Sequence, residues 1–269
     1  MYDRNIFYTS IGDKIISLPG VTNYSTSTSH SAYIQYGKLH INYNNNWNHE
    51  DVPNLPIIDN AIDVAVGCCA TAYIIDVGSG AGDLYVCGDN NDGRLGVYPP
   101  KYIDKPICIA ANVNQVTFTR HGMYFTSDRT LFGTNYFKEQ TQPMAITINV
   151  DYIDSMIGDV YFLKDNQLHH IINYTNDNSE YNIINPADSF KCGQGHVVYS
   201  HERNLYIFGF NIFNQQNFTL NCLTKKPILL AEDVDAYTVG PQFTALLKKR
   251  KYYAIGILHE SSPPNAIYL

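Results

Sequence analysis

With 269 residues, 45% of them hydrophobic, the chain is long enough for one large domain with a packed core. Its formal net charge of −7 argues against general nucleic-acid binding, which needs clustered Lys and Arg to meet phosphate. No apolar run approaches the length of a bilayer-spanning helix, and the N-terminus lacks the basic-then-apolar pattern of a signal peptide. The expected setting is therefore intracellular, cytoplasmic or nuclear, with no membrane. The six cysteines, at 68, 69, 87, 108, 192 and 222, show no Cys-x-x-Cys spacing. They are expected to be thiols rather than zinc ligands, and the sequons at Asn23, Asn173 and Asn217 to be incidental. The 22 Tyr, with frequent Asn and Ile, would suit an AT-rich genome such as that of a protist or a giant virus.

The first strand-like segment is Ile6–Gly12, and a Pro-containing extended segment, Ile15–Pro19, follows it. His30 then stands nine residues before Leu39, which opens a short run to Tyr43. Behind that run lies the Asn-rich segment Asn44–His49 with the only Trp, Trp47. A lone Trp among polar residues either folds back onto its blade or anchors a protein partner. Val52–Ile58 is the next extended segment.

Ile62 to Gly96 is the densest stretch. Val64, Val66, Thr71, Tyr73, Leu84 and Val86 are β formers on either side of a glycine-rich turn, and turn residues crowd Gly88–Gly96. Inside it, Ile74–Gly82 looks like the first motif of S-adenosylmethionine-dependent methyltransferases. That fold needs a helix next, then a parallel strand. A strand and a turn follow instead, so Val77–Asp83 is expected to be an insertion in a hairpin.

The Leu84-to-Gly88 step recurs at Tyr8–Gly12, Leu39–Tyr43, Leu131–Gly133, Leu168–Ile172, Leu205–Gly209 and Tyr252–Gly256. A second marker keeps phase with it: His30, Ala70, His121, Asp159, His196 and Phe243 occupy one slot, with Gly67, Gly193 and Gly240 three residues earlier. Further Pro-containing segments, Lys105–Ile109, Gln142–Ile148 and Lys225–Leu230, have the look of outer strands. No segment sustains a helical period. Repeats of roughly 40 residues with several short strands each are expected to be propeller blades. Seven blades are expected, six complete and a closing one joining Ile6–Gly12 to Ala266–Leu269, which would hide exposed strand edges.

Within that frame, His30, His121 and His196 are expected to bond or pack within their own blades rather than to share a metal or catalytic site. His169-His170 and Cys68-Cys69 are expected to be strand residues, and Lys248–Lys251 a hairpin turn. Tyr136–Gln142 and Asn173–Asn182 are expected to be long loops offering contact surface.

The Ile62–Gly96 stretch resembles one repeat of the regulator of chromosome condensation family. That pattern runs apolar-x-x-apolar-x-x-Gly-x-x-His-Thr, then Leu-Tyr-x-Trp-Gly-x-Asn-x-x-Gly-Gln-Leu-Gly. Gly67, Thr71, Leu84, Tyr85, Gly88, Asn90, Gly93, Leu95 and Gly96 match it. Ala70 replaces the His, Cys87 the Trp and Arg94 the Gln. The resemblance implies an all-β propeller spanning 1–269 as one domain, without catalytic residues, metal or cofactor. The leading expectation is a non-enzymatic module that binds another protein through Trp47, Arg94 and Phe213, which follow the Leu-Tyr strands. The alternatives are nucleotide exchange on a small GTPase or a chromatin-associated role, and, in third place, a methyltransferase.

Overall fold

The computed structural model describes residues 6–11, 14–27, 29–43, 55–78, 80–97, 100–120, 122–134, 142–156, 158–174, 179–210, 223–240, 243–256 and 267–268. Among these residues there is no α-helix; the helical piece is a single 3-10 turn at Asn91–Gly93. Contacts divide the chain into two compact units, Met1–Val150 and Asp151–Leu269.

In the first unit, β1 (Ile6–Ile11) pairs with β2 (Lys14–Pro19), and β3 (Val21–Thr26), β4 (His30–Gln35) and β5 (Lys38–Tyr43) form a meander. Ile58 adds an isolated bridge to Leu39. The next seven strands make one sheet in sequence order. They are β6 (Ala61–Gly67), β7 (Ala70–Asp76), β8 (Gly82–Asp89), β9 (Tyr102–Phe118), β10 (Met123–Ser127), β11 (Thr130–Gly133) and β12 (Met144–Thr147). That sheet is two four-stranded repeats fused through the 17-residue β9. The first part of β9 pairs with β8 and its last part with β10.

The second unit holds three four-stranded antiparallel sheets. They are β13 (Tyr152–Ser155), β14 (Val160–Lys164), β15 (Gln167–Tyr174) and β16 (Ser179–Pro186); β17 (Ser189–Cys192), β18 (His196–His201), β19 (Asn204–Phe210) and β20 (Leu223–Ala231); and β21 (Ala236–Val239), β22 (Phe243–Lys248), β23 (Lys251–Gly256) and β24 (Ile267–Tyr268).

The joints between repeats follow one rule. Asn60, Asn112, Asn149 and Asp233 all have φ between 51° and 62°. Asn and Asp visit this left-handed region more readily than other residues with a Cβ. The residue after three of these joints sends its amide back to the preceding hairpin turn. Ala61 donates to the Gly37 carbonyl, Val150 to Arg129 and Val234 to Arg203, each at 2.9 Å. Ala187 donates to Asn166 in the same way.

Successive strand residues face opposite sides, and in the inner strands β7, β10, β14 and β18 both sides are buried. Tyr73 packs with Ile34, Leu39 and Val64, whereas its neighbour Ile74 packs with Val113, Met123 and Phe125. In the second unit, Val197 joins Tyr161 and Phe190, and Val198 joins Val234 and Leu246. Sheets in each unit therefore pack face to face. This accounts for unbroken apolar runs where a one-sided sheet would alternate.

Several expectations are met. Ile15–Pro19, Lys105–Ile109 and Lys225–Leu230 fall within β2, β9 and β20, and β12 lies inside Gln142–Ile148. His169-His170 lies in β15, and Lys249-Arg250 forms a turn with φ values of 51° and 63°. Others are corrected. Ile267–Tyr268 pairs with Tyr253 and Ala254, so the tail is the fourth strand of the β21–β24 sheet rather than half of a closing blade, and Ile6–Ile11 pairs with Lys14–Pro19. Most of Asn173–Asn182 is strand, because β15 runs to Tyr174 and β16 begins at Ser179. Cys68-Cys69 is the β6–β7 turn, not strand, with φ 57° at Cys69. Tyr136–Gln142 lies outside the described residues except for Gln142.

The methyltransferase reading is overturned by topology. β7 and β8 are adjacent and antiparallel, paired to Asp76 and Gly82, where the motif needs a helix and a parallel strand. The glycine-rich segment is their connecting loop, pinned by the Gly78 amide donating to Asp76 Oδ1 at 2.7 Å. Gly82 already belongs to β8, and a Cβ there would meet the Ile75 carbonyl oxygen at 2.0 Å.

Candidate functional site

The marked histidines do their bonding between sheets. His30 Nε2 lies 2.8 Å from Thr71 Oγ1 on β7 of the next sheet, and His196 Nε2 lies 3.2 Å from Thr244 Oγ1 on β22. This corrects the expectation of bonds within each blade. The cause is the face-to-face packing, which brings the second strand of one repeat against the second strand of the next. His30 Nδ1 also meets Ser29 Oγ at 2.9 Å. His121 lies outside the described residues. Asp159, in the same slot, bonds His170 Nε2 at 2.9 Å.

The first strands of the repeats carry a second set of cross-links. Ser25 Oγ accepts the Val66 amide at 3.0 Å, and Asp154 Oδ2 accepts the Cys192 amide at 2.8 Å. Asp63 accepts the Val116 amide at 2.8 Å and is also bonded by Asn23. Each tie joins a polar side chain of one first strand to the backbone or side chain of a neighbouring one.

These ties predict a pH profile. Burial lowers the pKa of His30 and of His196 to about 4, below the ordinary 6.5. The unfolded chain therefore takes up these protons first, and stability falls as pH drops from 6.5 towards 4. Burial pushes Asp154 the other way, up to about 6, so its protonation in the fold opposes the loss below that pH. Each histidine should cost up to about 3 kcal/mol by pH 4. Melting temperature should fall across this window, and the fall should be shallower in His196→Gln. Equal slopes for variant and wild type would contradict the assignment.

The segment after β8 is held from inside by Asn90, which is fully buried. Its Nδ2 donates to the Val97 and Pro100 carbonyls at 2.6 and 2.7 Å, and its Oδ1 accepts the Leu95 amide at 2.9 Å. Arg94 leaves the end of this 3-10 turn with its guanidinium 3.1 Å from Asp89 Oδ2. Its side chain is 15% exposed, so the arginine presents a rim rather than a full face. Trp47 and Phe213 lie outside the described residues. In sequence, each of the three candidates follows the third strand of a sheet: Trp47 follows β5, Arg94 follows β8 and Phe213 follows β19.

Spacing within a single repeat does not reveal the bonding roles of Asn90, Thr71 and Thr244. A partial signal is present: in two of the three repeats with His in the slot, the next repeat has Thr just after its own slot, Thr71 after His30 and Thr244 after His196, whereas His121 is followed by Val160.

Among the described residues, no group of three or more His, Cys, Asp or Glu converges to hold a metal. A cavity of about 580 Å³ in the second unit is lined by Ser189, Lys191, Ser200, Arg203 and Tyr237, among others. Its hydroxyls bond one another, Ser189 Oγ lying 2.8 Å from both Ser200 Oγ and Tyr237 OH, and Arg203 is paired with Asp235 at 2.9 Å. Among the described residues, no helix is long and apolar enough to cross a membrane.

No protein-family profile matches the sequence, and no curated protein matches it. Solved structures do. Human WBSCR16 is similar at a TM-score of 0.64 and 14% identity, over 81% of this chain and 69% of that one. Prp20p from Saccharomyces cerevisiae, whose structure was described with its binding properties to Gsp1p and histones, is similar at 0.59 and 15%, over 74% and 57%. Yeast RCC1 (Prp20) in its complex with Kap60 is similar at 0.59 and 14%, over 83% and 60%. The chain spans less than two thirds of the length of these Prp20 chains. The fold is an all-β propeller, similar to those of these solved structures at 14–15% sequence identity.

Proposed function

We propose that this chain is a non-enzymatic protein-binding propeller module, one domain over residues 1–269, working inside the cell. The partner docks on the segments that link third and fourth strands, with Trp47, Arg94 and Phe213 as anchors. The observation that carries this reading is the contrast between scaffold and connections. The slots of His30, His196, Asp154 and Ser25 repeat their bonds from sheet to sheet, whereas the third-to-fourth-strand connections differ in length and residue type. Variable connections on a rigid scaffold are where binding residues accumulate. The similar structures of Prp20 involve protein partners, Gsp1p, histones and Kap60. The net charge of −7 favours a protein over bare nucleic acid.

Nucleotide exchange on a small GTPase is the second reading, favoured by the RCC1-like fold alone. Affinity capture from the source cell, run in parallel with wild type and Trp47→Ala/Phe213→Ala, separates these cases. The expected result is a protein recovered by wild type and lost by the double variant. If that protein is a GTPase whose bound nucleotide is released faster in the presence of the chain, the second reading replaces the first. Identical captures would overturn the assignment of the face.

A further inference from the structure

We propose that Cys68 and Cys69 are a redox-active vicinal dithiol, which a low-molecular-weight disulfide oxidises to a ring disulfide within the β6–β7 turn. The two Sγ atoms lie 4.0 Å apart, with Cys68 exposed and Cys69 buried beside it. The thiolate of Cys68 attacks one sulfur of the small disulfide and expels the other as a thiol. The Cys69 thiolate then attacks Cys68 Sγ and expels the second small thiol. One S–S bond is broken and one formed. The protein loses two hydrogens, and the reagent gains them as two thiols. An exposed attacking thiol with a second thiol beside it is the arrangement of a redox-responsive pair.

The product should be easily reduced. Adjacent Cα atoms are about 3.8 Å apart, short of the usual span of about 4.4–6.8 Å across a disulfide. Strain of this kind raises the reduction potential, so the ring opens again in mild reductant. Cys87, by contrast, is buried and its thiol is pushed up to about 12, so it stays inert. Cys108 is exposed but bonds the Ala110 carbonyl, and it supplies an internal comparison for simple thiol capture.

The turn is wired into its surroundings. The Cys69 amide donates to Ser29 Oγ at 3.1 Å, and the Cys69 carbonyl accepts the Asp89 amide at 2.8 Å. Asp89 in turn holds Arg94. Ring closure must rotate the Cys68–Cys69 peptide, so it acts on the root of the Arg94 segment. The redox chemistry itself does not depend on the proposed function.

The test is incubation of the full chain with oxidised glutathione, acid quenching, and intact-mass and peptide analysis. The expected result is loss of two hydrogens from the peptide containing both cysteines, reversed by dithiothreitol, while Cys108 carries a glutathione adduct. In Cys69→Ser, or Cys69→Ala if the serine variant fails to fold, Cys68 should keep a stable glutathione adduct. Cys68→Ser should leave Cys69 unmodified. A persistent adduct on Cys68 of the wild-type chain, a disulfide-linked dimer, or no change at either cysteine would each overturn the proposal.

Discussion

Asn90→Ala is expected to destabilise the chain by about 3 kcal/mol, as a buried side chain serving three backbone groups is lost. Asn90 is fully buried, and its side chain serves the Val97 and Pro100 carbonyls and the Leu95 amide at 2.6–2.9 Å. Alanine returns nothing to any of the three. Water cannot readily replace the bond to the Leu95 amide, because Leu95 is fully buried. At roughly 2–4 °C per kcal/mol, a drop in melting temperature of about 6–12 °C should follow. Asn90→Asp should fall between, since a carboxylate still accepts from Leu95 but cannot donate to the two carbonyls. A melting curve for Asn90→Ala within about 2 °C of wild type would show that the segment is held by other means.

Gly209→Ala is expected to cost about 2–4 kcal/mol, through backbone strain and collision together. Gly88, Gly209 and Gly256 stand at one slot of the repeat, with φ of 101°, 112° and 105°. Residues with a Cβ are strained there even in open space. Space is also lacking: a Cβ on Gly209 would sit 2.4 Å from the Gly195 carbonyl oxygen, and one on Gly88 would sit 2.2 Å from that of Cys69. These are backbone atoms of the hairpin turn alongside, which cannot swing away as a side chain could. Gly37 is the control. Its φ is 73°, but nothing lies within 4 Å of a built Cβ. Gly37→Ala should therefore cost only about 1 kcal/mol. Denaturant unfolding of the two variants separates collision from dihedral strain; equal costs would contradict the close approach at Gly209.

Those glycines explain why the repeat was legible. A slot that demands positive φ and admits no Cβ prints itself on the sequence, and Gly88, Gly209 and Gly256 do so. Burial on both faces printed the apolar runs around Val64–Val66 and Ala70–Ile74. What stayed hidden has physical causes too. β16 is an edge strand, and Asn182, Ile183 and Pro186 are all exposed, so it shows no alternation to read. The Cys68-Cys69 turn reads as strand because an apolar pair fills a position that Asn or Gly usually fills. The bonds from His30 to Thr71 and from His196 to Thr244 join different repeats, and reading each repeat alone could not find them. For Trp47, Arg94 and Phe213, spacing conveys residue type but not surroundings. Arg94 proves to be paired with Asp89, a partner that spacing alone does not reveal.

The claim that this propeller works by holding a protein on its third-to-fourth-strand connections is tested most directly by titration calorimetry with the captured partner. Wild type, Trp47→Ala and Lys249→Ala are compared, the last lying on a hairpin turn between second and third strands. Truncating a central anchor commonly costs about 2 kcal/mol or more, roughly a thirtyfold rise in Kd. Trp47→Ala should show that loss at an unchanged melting temperature, and Lys249→Ala should bind as wild type does. Undiminished affinity in Trp47→Ala, with loss in Lys249→Ala, would place the partner on the hairpin turns and contradict the account.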